Sequence, residues 1–419
     1  MKPIPNSIAA QTDELAEWRQ DFHRHPELAY GEQRTAAKVA DRLAEFGFDN
    51  VETGIGGTGV LDVLHGRGGP GGEAIMLRAD MDALPIHETT GVDYASTSPG
   101  VMHACGHDGH TTMLLGAAKH LAATGNFEGT VYFCFQPAEE GGAGAKAMLD
   151  DGLFDRYRPR AVYGMHNWPG LPVGEFAVKE GPVLAATVMF TVTVTGKGSH
   201  GAEPHSGRDQ IVAAAHLVTA LQSIVSRVVD PLQPAVLSVT AFNAGSTFNV
   251  IPGEAVLKGT IRTFDEKVRA LIIDEMDRIC AEIAGAFAVE VDVDRGTVAY
   301  PPTINDGTQA DFAESVMREV FGDAAVHRGH PPTMAGEDFA YFSREVPGGL
   351  CDHRQWRLGA ATQCRLRFRR QGSTAGGGLL GAPGREGTAA GSGLTALLGF
   401  GRPSLAVTRG VSRTAPPRG

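Results

Sequence analysis

Short apolar runs that alternate with helical stretches constrain the fold of this 419-residue chain more than any other feature. The clearest runs cover residues 75–77, 131–135 and 161–165, and polar side chains follow each of them. Strands that alternate with helices predict a sheet covered by helices on both faces. The sequence therefore predicts an α/β fold with a site at the carboxyl ends of neighbouring strands, where such folds bind their ligands.

The side chains after these three runs suit metal-assisted proton transfer. Asp80 and Asp82 follow the first run, Glu139 and Glu140 the second, and His166 the third. Two adjacent carboxylates repel each other, and a strand end beside a cation is one of the few places that favour them. One carboxylate can then bind the metal while the other takes a proton from water. A solvent-exposed acidic turn is the alternative interpretation of the glutamate pair.

A cysteine and three histidines fall within the eight residues 103–110, which are HACGHDGH. Gly106 and Gly109 give the backbone freedom to turn several of these side chains towards one point. Thiolate and imidazole ligands suit Zn, Mn, Co or Ni, and the mixture does not choose among these metals. The alternative is that Cys105 is a small buried residue and that the histidines are surface or capping residues.

Composition and charge exclude several classes of protein. The formal net charge of −11 argues against nucleic acid as a partner, because phosphate binding needs a concentrated basic face. No apolar run reaches membrane-spanning length, and the start MKPIPNSIAAQTDEL has no hydrophobic signal core, so we expect a cytoplasmic protein that binds no membrane. The five cysteines are odd in number and scattered, which favours reduced thiols over a disulfide framework.

A series of motifs lies in order along the chain, within a match that runs from about residue 21 to about residue 349. They are LRADMDALP, HACGHDGHTT, FQPAEEGGAGA, GMHNWP, GSHGAEPH, NVIP and AGEDFAYF. Together they resemble the M20 metallopeptidase superfamily, in the amidohydrolase branch of hippurate hydrolases and N-acyl-amino-acid or indole-acetyl-amino-acid hydrolases. The resemblance implies a zinc-aminopeptidase-like mixed-sheet catalytic domain with an inserted domain that acts as a lid and a dimerisation surface.

The sequence pattern changes at residue 185. Alternating strands and two long apolar-rich helices follow in β-α-β-β-α-β order, which predicts a ferredoxin-like α+β domain inserted into the first one. We predict a catalytic domain over residues 1–184 and 297–353, the inserted domain over residues 185–296, and a separate tail over residues 354–419. The resemblance implies a homodimer formed through the inserted domain.

The resemblance also assigns roles around the metal. It implies one or two divalent ions held by Cys105, His107, Glu140 and His166. These ions would polarise the acyl carbonyl and lower the pKa of bound water, while Glu139 would take the proton and pass it to the leaving amine. Asp82 would orient a ligand. Many M20 enzymes have a histidine in an HxD motif where this chain has Asp80-Met81-Asp82. Ligand roles, and the number of ions, therefore cannot be transferred directly from other branches.

Three residues of the predicted insert complete the implied site. His200 would stabilise the oxyanion of the tetrahedral intermediate, often across the dimer. Asn249 and Arg262 would hold the carboxylate of the amino-acid product, for which Arg offers a planar fork. The alternatives are an ordinary loop histidine, a turn asparagine before Pro252 and a solvent-exposed strand arginine.

The implied reaction is hydrolysis of the amide bond of a small-molecule N-acyl amino acid, giving a carboxylate and a free amino acid. An M20-type dipeptidase or N-acetyl-diaminopimelate-type deacetylase is a second interpretation. A non-catalytic dimeric remnant that acts as a binding protein is a third.

The third interpretation arises because the C-terminus departs from the family pattern. After AGEDFAYF the family continues into a Gly-Asn-Gly loop, a Leu-His-Asn stretch whose histidine is the last metal ligand, and a closing strand and helix. Residues 354–419 instead contain eleven Arg, no Lys and a single acidic residue, Glu386. A disordered basic tail is one interpretation.

A translational frameshift in a GC-rich gene is the interpretation that we favour. Such genes read out of frame yield Arg, Gly, Ala and Pro and avoid Lys, as this tail does. Residues 354–370 can be given codons that, read one base later, spell Gly-Asn-Gly-Asp-Ser-Ala-Pro-Leu-His-Asn-Ala-Ala-Tyr-Asp-Phe-Asp. These codons are the synonymous choices that reproduce the family motif. The missing histidine would be encoded across Thr362 and Gln363, and its loss predicts impaired metal binding and activity.

Overall fold

The computed structural model describes residues 10–353, except residues 71, 169 and 297. These residues all belong to one compact unit, Met1–Gln371. The predicted aberrant tail, residues 354–419, and the predicted position of the missing histidine lie outside the described residues.

The elements up to residue 184 are short strands and helices of different lengths. The helices are α1 (Thr12–Arg24), α2 (Gln33–Glu45), α3 (His107–Thr124), α4 (Gly144–Asp150) and α5 (Leu153–Arg156), and a single turn covers Glu139–Gly142. The strands are β1 (Glu52–Ile55), β2 (Gly59–His65), β3 (Ala74–Asp80), β4 (Thr130–Gln136), β5 (Ala161–Asn167), β6 (Phe176–Ala177) and β7 (Gly181–Leu184).

The remaining strands and helices of the described residues follow residue 184. The strands are β8 (Ala186–Thr195), β9 (Ser199–His200), β10 (Ala235–Ala244), β11 (Val250–Ile251), β12 (Glu254–Thr263), β13 (Glu290–Asp294), β14 (Ala299–Tyr300), β15 (Thr303–Asn305), β16 (Val326–His327) and β17 (Gly348–His353). The helices are α6 (Gln210–Ser223), α7 (Glu266–Phe287), α8 (Gly307–Phe321) and α9 (Phe339–Glu345). Short helical turns cover Pro204–Ser206, Ile224–Val228 and Asp323–Ala325.

The largest sheet is mixed and has eight strands, in the order β1-β2-β4-β3-β5-β17-β6-β16. β3 pairs in parallel with both β4 and β5, and β5 pairs in parallel with β17. β1, β2 and β4 pair antiparallel at one side. The predicted α/β mixed sheet is confirmed, and the parallel centre places the carboxyl ends of β3, β4 and β5 at one edge.

Burial on both faces explains why the central strands are continuous apolar runs. β3, β4 and β5 are buried over almost their whole length, as strands covered by helices must be. Residues 107–118 of α3 are all buried, so this helix lies inside the protein. The amphipathic helices α1 and α2 contribute Leu15, Phe22, Val39 and Leu43 to the same core. Burial of each such side chain stabilises the fold by about 1.5–3 kcal/mol.

A second sheet lies within residues 186–300. Its order is β10-β12-β8-β13, and β14 also pairs with β8. Strands β8, β10, β12 and β13 with helices α6 and α7 follow the β-α-β-β-α-β succession predicted from the sequence. The two helices and the sheet share a hydrophobic core of their own. The domain limits at residues 184, 296 and 353, and the role of this region as a lid, stay predictions.

Helix α6 and the helical turn after it contradict the expectation that no apolar run is long enough to span a membrane. Residues Gln210–Val228 have a mean hydropathy of 1.5 and are, by length and composition, apolar enough to cross a membrane. The expectation that no apolar run reaches this length was wrong. Leu217, Leu221 and Ile224 on one face are fully buried in the core of the second sheet. A core helix passes the same test, so the apolar composition alone is weak evidence for a membrane span.

Candidate metal centre

Three neighbouring parallel strands bring polar side chains to one edge of the mixed sheet. β3 ends at Asp80, β4 ends shortly before Glu139, and His166 is the last residue but one of β5. Cys105 lies just before α3, and His107 is the first residue of that helix. Because β3 pairs with both β4 and β5, chain positions that are far apart in sequence meet at this edge.

Cys105, His107 and His166 form one group that could hold a metal ion, with ligand atoms within 4.8 Å of one another. Sγ of Cys105 lies 3.4 Å from Nε2 of His166. Gly106 has a φ of +85°, and a Cβ there would lie 2.2 Å from Nδ2 of Asn167, which donates to the carbonyl of Cys105 at 2.5 Å. Only glycine therefore lets Cys105 and His107 converge here without strain.

His107 joins this group to the glutamate pair. His107, Glu139 and Glu140 form a second group within 4.8 Å, and Nε2 of His107 lies 4.0 Å from Oε1 of Glu140. The ring is fully buried, yet neither of its nitrogens makes a hydrogen bond within the part of the chain that the structure describes. A cation would satisfy such a nitrogen, and a set of thiolate, imidazole and carboxylate donors suits a divalent transition metal. The residues present therefore fit a metal ion.

Asp82 contacts both parts of this cluster. Its Oδ1 lies 3.3 Å from Nδ1 of His107. Its two oxygens also accept the backbone N–H groups of Glu139 at 3.0 Å and Glu140 at 2.9 Å. One carboxylate is thus placed to orient the His107 ring and the backbone that carries the two glutamates.

Asp80 and His110 form a third group with His107, but their own hydrogen bonds are already made. Nδ1 of His110 lies 2.6 Å from Oδ1 of Asp80, and Nε2 of His110 accepts the backbone N–H of Asn167 at 2.9 Å. The proton of the neutral ring must therefore be on Nδ1, where it is donated to Asp80. The other oxygen of Asp80 accepts from Arg78 at 2.7 Å.

Arg78 is the centre of a buried acidic network. Its side chain is 1% exposed and donates to Gln136 at 2.7 Å, to Glu337 at 2.9 Å and to Asp338 at 3.1 Å, besides Asp80. Glu139, Glu337 and Asp338 form the fourth group with oxygens within 4.8 Å. Arg78 supplies the positive charge that buried carboxylates need.

Burial and mutual contact shift the pKa values of the cluster. Burial alone raises the pKa of the Cys105 thiol, but the neighbouring rings of His107 and His166 lower it to about 6. Burial lowers the pKa of His166, but the hydrogen bond with Cys105 raises it to about 9. Burial raises the pKa of Glu140 to about 8. Burial, with Glu337 and Asp338 nearby, raises the pKa of Glu139 well above its usual range, as suits a proton carrier.

The segment that carries the glutamates, residues 137–145, is called the glutamate turn here. Ala138 and Ala143 flank the glutamates with φ of 51° and 54°, in the left-handed region that alanine rarely adopts. Such a conformation costs about 1–3 kcal/mol per residue and persists only where surrounding contacts impose it. The hydroxyl of Tyr300 donates to the carbonyl of Glu139 and accepts the N–H of Ala143 at 3.3 Å.

The three residues predicted from the inserted region lie outside these metal-binding groups. His200 and Asn249 are exposed and neighbour each other on the β9–β11 ribbon, where the N–H of Gly201 donates to the carbonyl of Asn249 at 2.8 Å. Arg262 is half-buried and donates to the carbonyl of Met334 at 3.1 Å. The described residues thus bring together Cys105, His107, Glu139, Glu140, His166 and Asp82, and they leave His200, Asn249 and Arg262 apart from that cluster.

Sequence reasoning missed several residues that build the site. Arg78 lies in the LRADMD motif and Glu337 and Asp338 in the AGEDF motif, but no chemistry was assigned to any of them. Their motifs were a signal, since a buried strand rarely contains an unpaired arginine. The role of His110 was likewise open among the three histidines of its motif.

Comparison with known proteins identifies the family. The profile of peptidase family M20/M25/M40 matches residues 76–355. The chain belongs to peptidase family M20. One relative is the hippurate hydrolase of Campylobacter jejuni, which is 45% identical over 342 residues that cover 82% of this chain and 88% of that protein. Another is the N-acyl-L-amino acid amidohydrolase of Geobacillus stearothermophilus, which is 44% identical over 297 residues that cover 70% of this chain and 78% of that protein.

A solved M20 structure agrees with the fold. It is a Bacillus subtilis protein described as a dinuclear metal binding peptidase, with a TM-score of 0.70 and 32% identity over 86% of this chain and 98% of that one. The chain is an M20 amidohydrolase, a hydrolase that acts on amide bonds. The M20 profile match ends at residue 355, next to the start of the predicted aberrant tail.

Proposed function

We propose that this M20 amidohydrolase cleaves the amide bond of N-acyl amino acids such as hippurate, giving a carboxylate and a free amino acid. The observation that carries the proposal is that two groups of potential metal ligands share His107. One is Cys105, His107 and His166, and the other is His107, Glu139 and Glu140. The names of the two M20 relatives support a substrate of this class. Cys105, His107, Glu140 and His166 would hold one or two divalent ions, with Zn, Mn, Co and Ni as candidates.

A bound divalent ion would polarise the acyl carbonyl and acidify water. Glu139 takes the proton from the attacking water and delivers it to the nitrogen of the leaving amine. Its high pKa, raised by burial and by Glu337 and Asp338, allows it to keep the proton between the two steps. Asp82 holds the backbone of both glutamates and faces Nδ1 of His107, so the base keeps its orientation while it gains and loses charge.

His200 has the tautomer that an oxyanion donor requires. Its Nδ1 accepts the backbone N–H of Ala202 at 3.1 Å, so the proton of the neutral ring is on Nε2. Nε2 can then donate to a developing oxyanion. Because His200 is exposed, we propose that it serves the site of a second copy in a homodimer formed through residues 185–296.

Asn249 and Arg262 are proposed to bind the carboxylate of the amino-acid half. Asn249 lies next to the His200 loop, and its side-chain oxygen accepts the hydroxyl of Thr247 at 3.1 Å. Arg262 donates to the backbone carbonyls of Ile261 and Met334, and burial lowers its pKa. A carboxylate would offer its guanidinium a charged acceptor in place of neutral ones. A cytoplasmic location is part of the same proposal.

Turnover of N-benzoylglycine, N-acetyl amino acids, N-acetyl-diaminopimelate and dipeptides, measured after reconstitution with each metal, tests the substrate class. We expect N-acyl amino acids to be preferred, and a preference for dipeptides or for acetylated diaminopimelate would favour the second interpretation. Dimerisation without metal binding or turnover would favour the non-catalytic remnant. The same assays on a chain with residues 354–419 restored to the alternative frame separate an impaired enzyme from a wrong substrate.

A further inference from the structure

Glu32 directly precedes helix α2, but its side chain does not cap the helix. It is the N-cap residue of α2, yet its side chain accepts no capping hydrogen bond. Glu27 does this instead, because its carboxylate accepts the N–H groups of Arg34 at 3.0 Å and Thr35 at 2.8 Å. The carboxylate of Glu32 is fully buried, which is unusual for glutamate.

The buried carboxylate of Glu32 bonds to two distant parts of the chain. Oε2 accepts the hydroxyl of Thr58 at 2.6 Å, and Oε1 accepts the backbone N–H of Ala138 at 2.8 Å. Ala138 is itself fully buried, with a φ of 51° and a ψ of 43°. Glu32 is the acceptor for this N–H among the described residues, and a buried N–H without an acceptor would be costly.

Glu32 and Asp82 together accept three consecutive backbone N–H groups. Glu32 accepts that of Ala138, and Asp82 accepts those of Glu139 and Glu140. The two carboxylates come from different parts of the fold, the start of α2 and the segment after β3. Between them they fix the backbone direction at the point from which both glutamate side chains leave.

We propose that Glu32 is a positioning residue for the glutamate pair: its buried carboxylate holds Ala138 in the left-handed conformation and so aims Glu139 and Glu140 at the metal cluster. The effect on metal binding rests on the proposed function, whereas the effect on the glutamate turn does not. Loss of a residue that orients metal ligands typically weakens metal affinity about 10–100-fold.

Hydrogen exchange at single-residue resolution on the full chain, without metal, tests the first part. In Glu32→Ala we expect the amides of Ala138, Glu139 and Glu140 to exchange at least about tenfold faster, with no change inside α3. In Glu32→Gln the amide oxygen can still accept from Ala138, and its NH2 can donate to the hydroxyl of Thr58. This variant should therefore keep exchange near that of the unchanged chain.

Glu27→Ala is the matched control. It removes a carboxylate whose hydrogen bonds, within the described residues, go to Arg34 and Thr35 at the start of α2 and not to the glutamate turn. We expect faster exchange only near Arg34 and Thr35. Unchanged exchange at the glutamate turn in Glu32→Ala, equal acceleration throughout α2 and α3, or loss of protection in Glu32→Gln would each overturn the proposal.

Titration of the same proteins with Co²⁺ tests the second part. We expect the dissociation constant to rise about 10–100-fold in Glu32→Ala and to change little in Glu32→Gln and Glu27→Ala. Equal Co²⁺ affinities despite faster exchange would overturn the link between the glutamate turn and the metal cluster. If exchange changes as expected but none of these proteins binds Co²⁺, positioning of the glutamate turn stands and the proposed metal site fails.

Discussion

Replacing Arg78 by methionine removes the cation of the buried acidic network while keeping a side chain of similar length. The guanidinium donates to Asp80, Glu337 and Asp338, and all three acceptors are almost completely buried. Methionine would leave these carboxylates without a positive charge in a medium that solvates charge poorly. Removing one partner of a buried ion pair costs about 3–5 kcal/mol.

That loss is a large fraction of the free energy of unfolding, which is about 5–15 kcal/mol for native domains. At about 2 °C per kcal/mol for larger domains, we expect Tm to fall by about 6–10 °C. The loss should also depend on pH. Burial raises the pKa of Asp80, but His107, Arg78 and His110 together lower it well below its ordinary value. A depressed carboxyl pKa stabilises the folded chain above the unfolded pKa of about 4, and this contribution disappears as pH falls. The Tm deficit of Arg78→Met should therefore shrink as pH falls below about 4.

Differential scanning calorimetry of the full chain measures this deficit, and Arg34→Met is the matched control. Arg34 pairs with both oxygens of Asp21 at 2.8 and 2.9 Å, but the two side chains are 32% and 39% exposed. Its loss should cost at most about 1 kcal/mol. Adding Glu337→Gln to Arg78→Met should restore part of the stability, because it removes one uncompensated charge. Equal Tm losses for the two methionine variants would refute the reasoning.

Three further predictions concern the metal cluster. Glu139→Gln should abolish hydrolysis, while its Zn²⁺ affinity stays within about threefold of that of the unchanged chain. Glu140→Gln should instead weaken Zn²⁺ binding at least about tenfold in titration calorimetry. Equal effects of the two variants on Zn²⁺ affinity would contradict their separate roles. Zn²⁺ affinity should rise between about pH 6 and pH 9. Cys105 is a thiolate above about pH 6, whereas His166 keeps its proton up to about pH 9 and must release it when the ion binds. Calorimetry in two buffers of different ionisation enthalpy counts the released protons, and an affinity independent of pH would be inconsistent with these values. A chain with residues 354–419 restored to the alternative frame should bind Zn²⁺ at least about tenfold more tightly and hydrolyse N-benzoylglycine faster, and equal behaviour of both chains would count against the frameshift interpretation.

The strands that carry the cluster could be predicted because burial on both faces leaves a strong sequence signal. The apolar runs at residues 75–77, 131–135 and 161–165 all lie within strands, in β3, β4 and β5. Helix α3 begins at His107, so the imidazole lies in the first turn of the helix. A pattern of apolar residues does not indicate this start, because His107 is polar and follows a glycine.

Long-range pairing of polar side chains could not be predicted in the same way. Glu27 and Glu32 lie five residues apart in the segment PELAYGEQRT, and either could cap α2. The fold decides between them, since only Glu32 faces Thr58 and Ala138. Likewise the partners of Arg78 include two acidic residues about 260 positions away, Glu337 and Asp338. Periodicity reports which face of an element is buried and contains no information about such partners.

The aspartate at position 80 shows how one replacement can change a role without changing the architecture. A histidine in the HxD motif would present a nitrogen lone pair to the metal, whereas Asp80 has one oxygen bonded to His110 and the other to Arg78. Both bonds are short and buried, so withdrawing Asp80 to bind an ion would cost Arg78 one of its acceptors and leave Nδ1 of His110 without its acceptor. Nε2 of His107 lies 3.9 Å from Asp80 and in the same group as the Cys105 thiol. We infer that Asp80 holds the scaffold while Cys105 supplies the ligand, and a thiolate with a pKa of about 6 is available for that role at neutral pH.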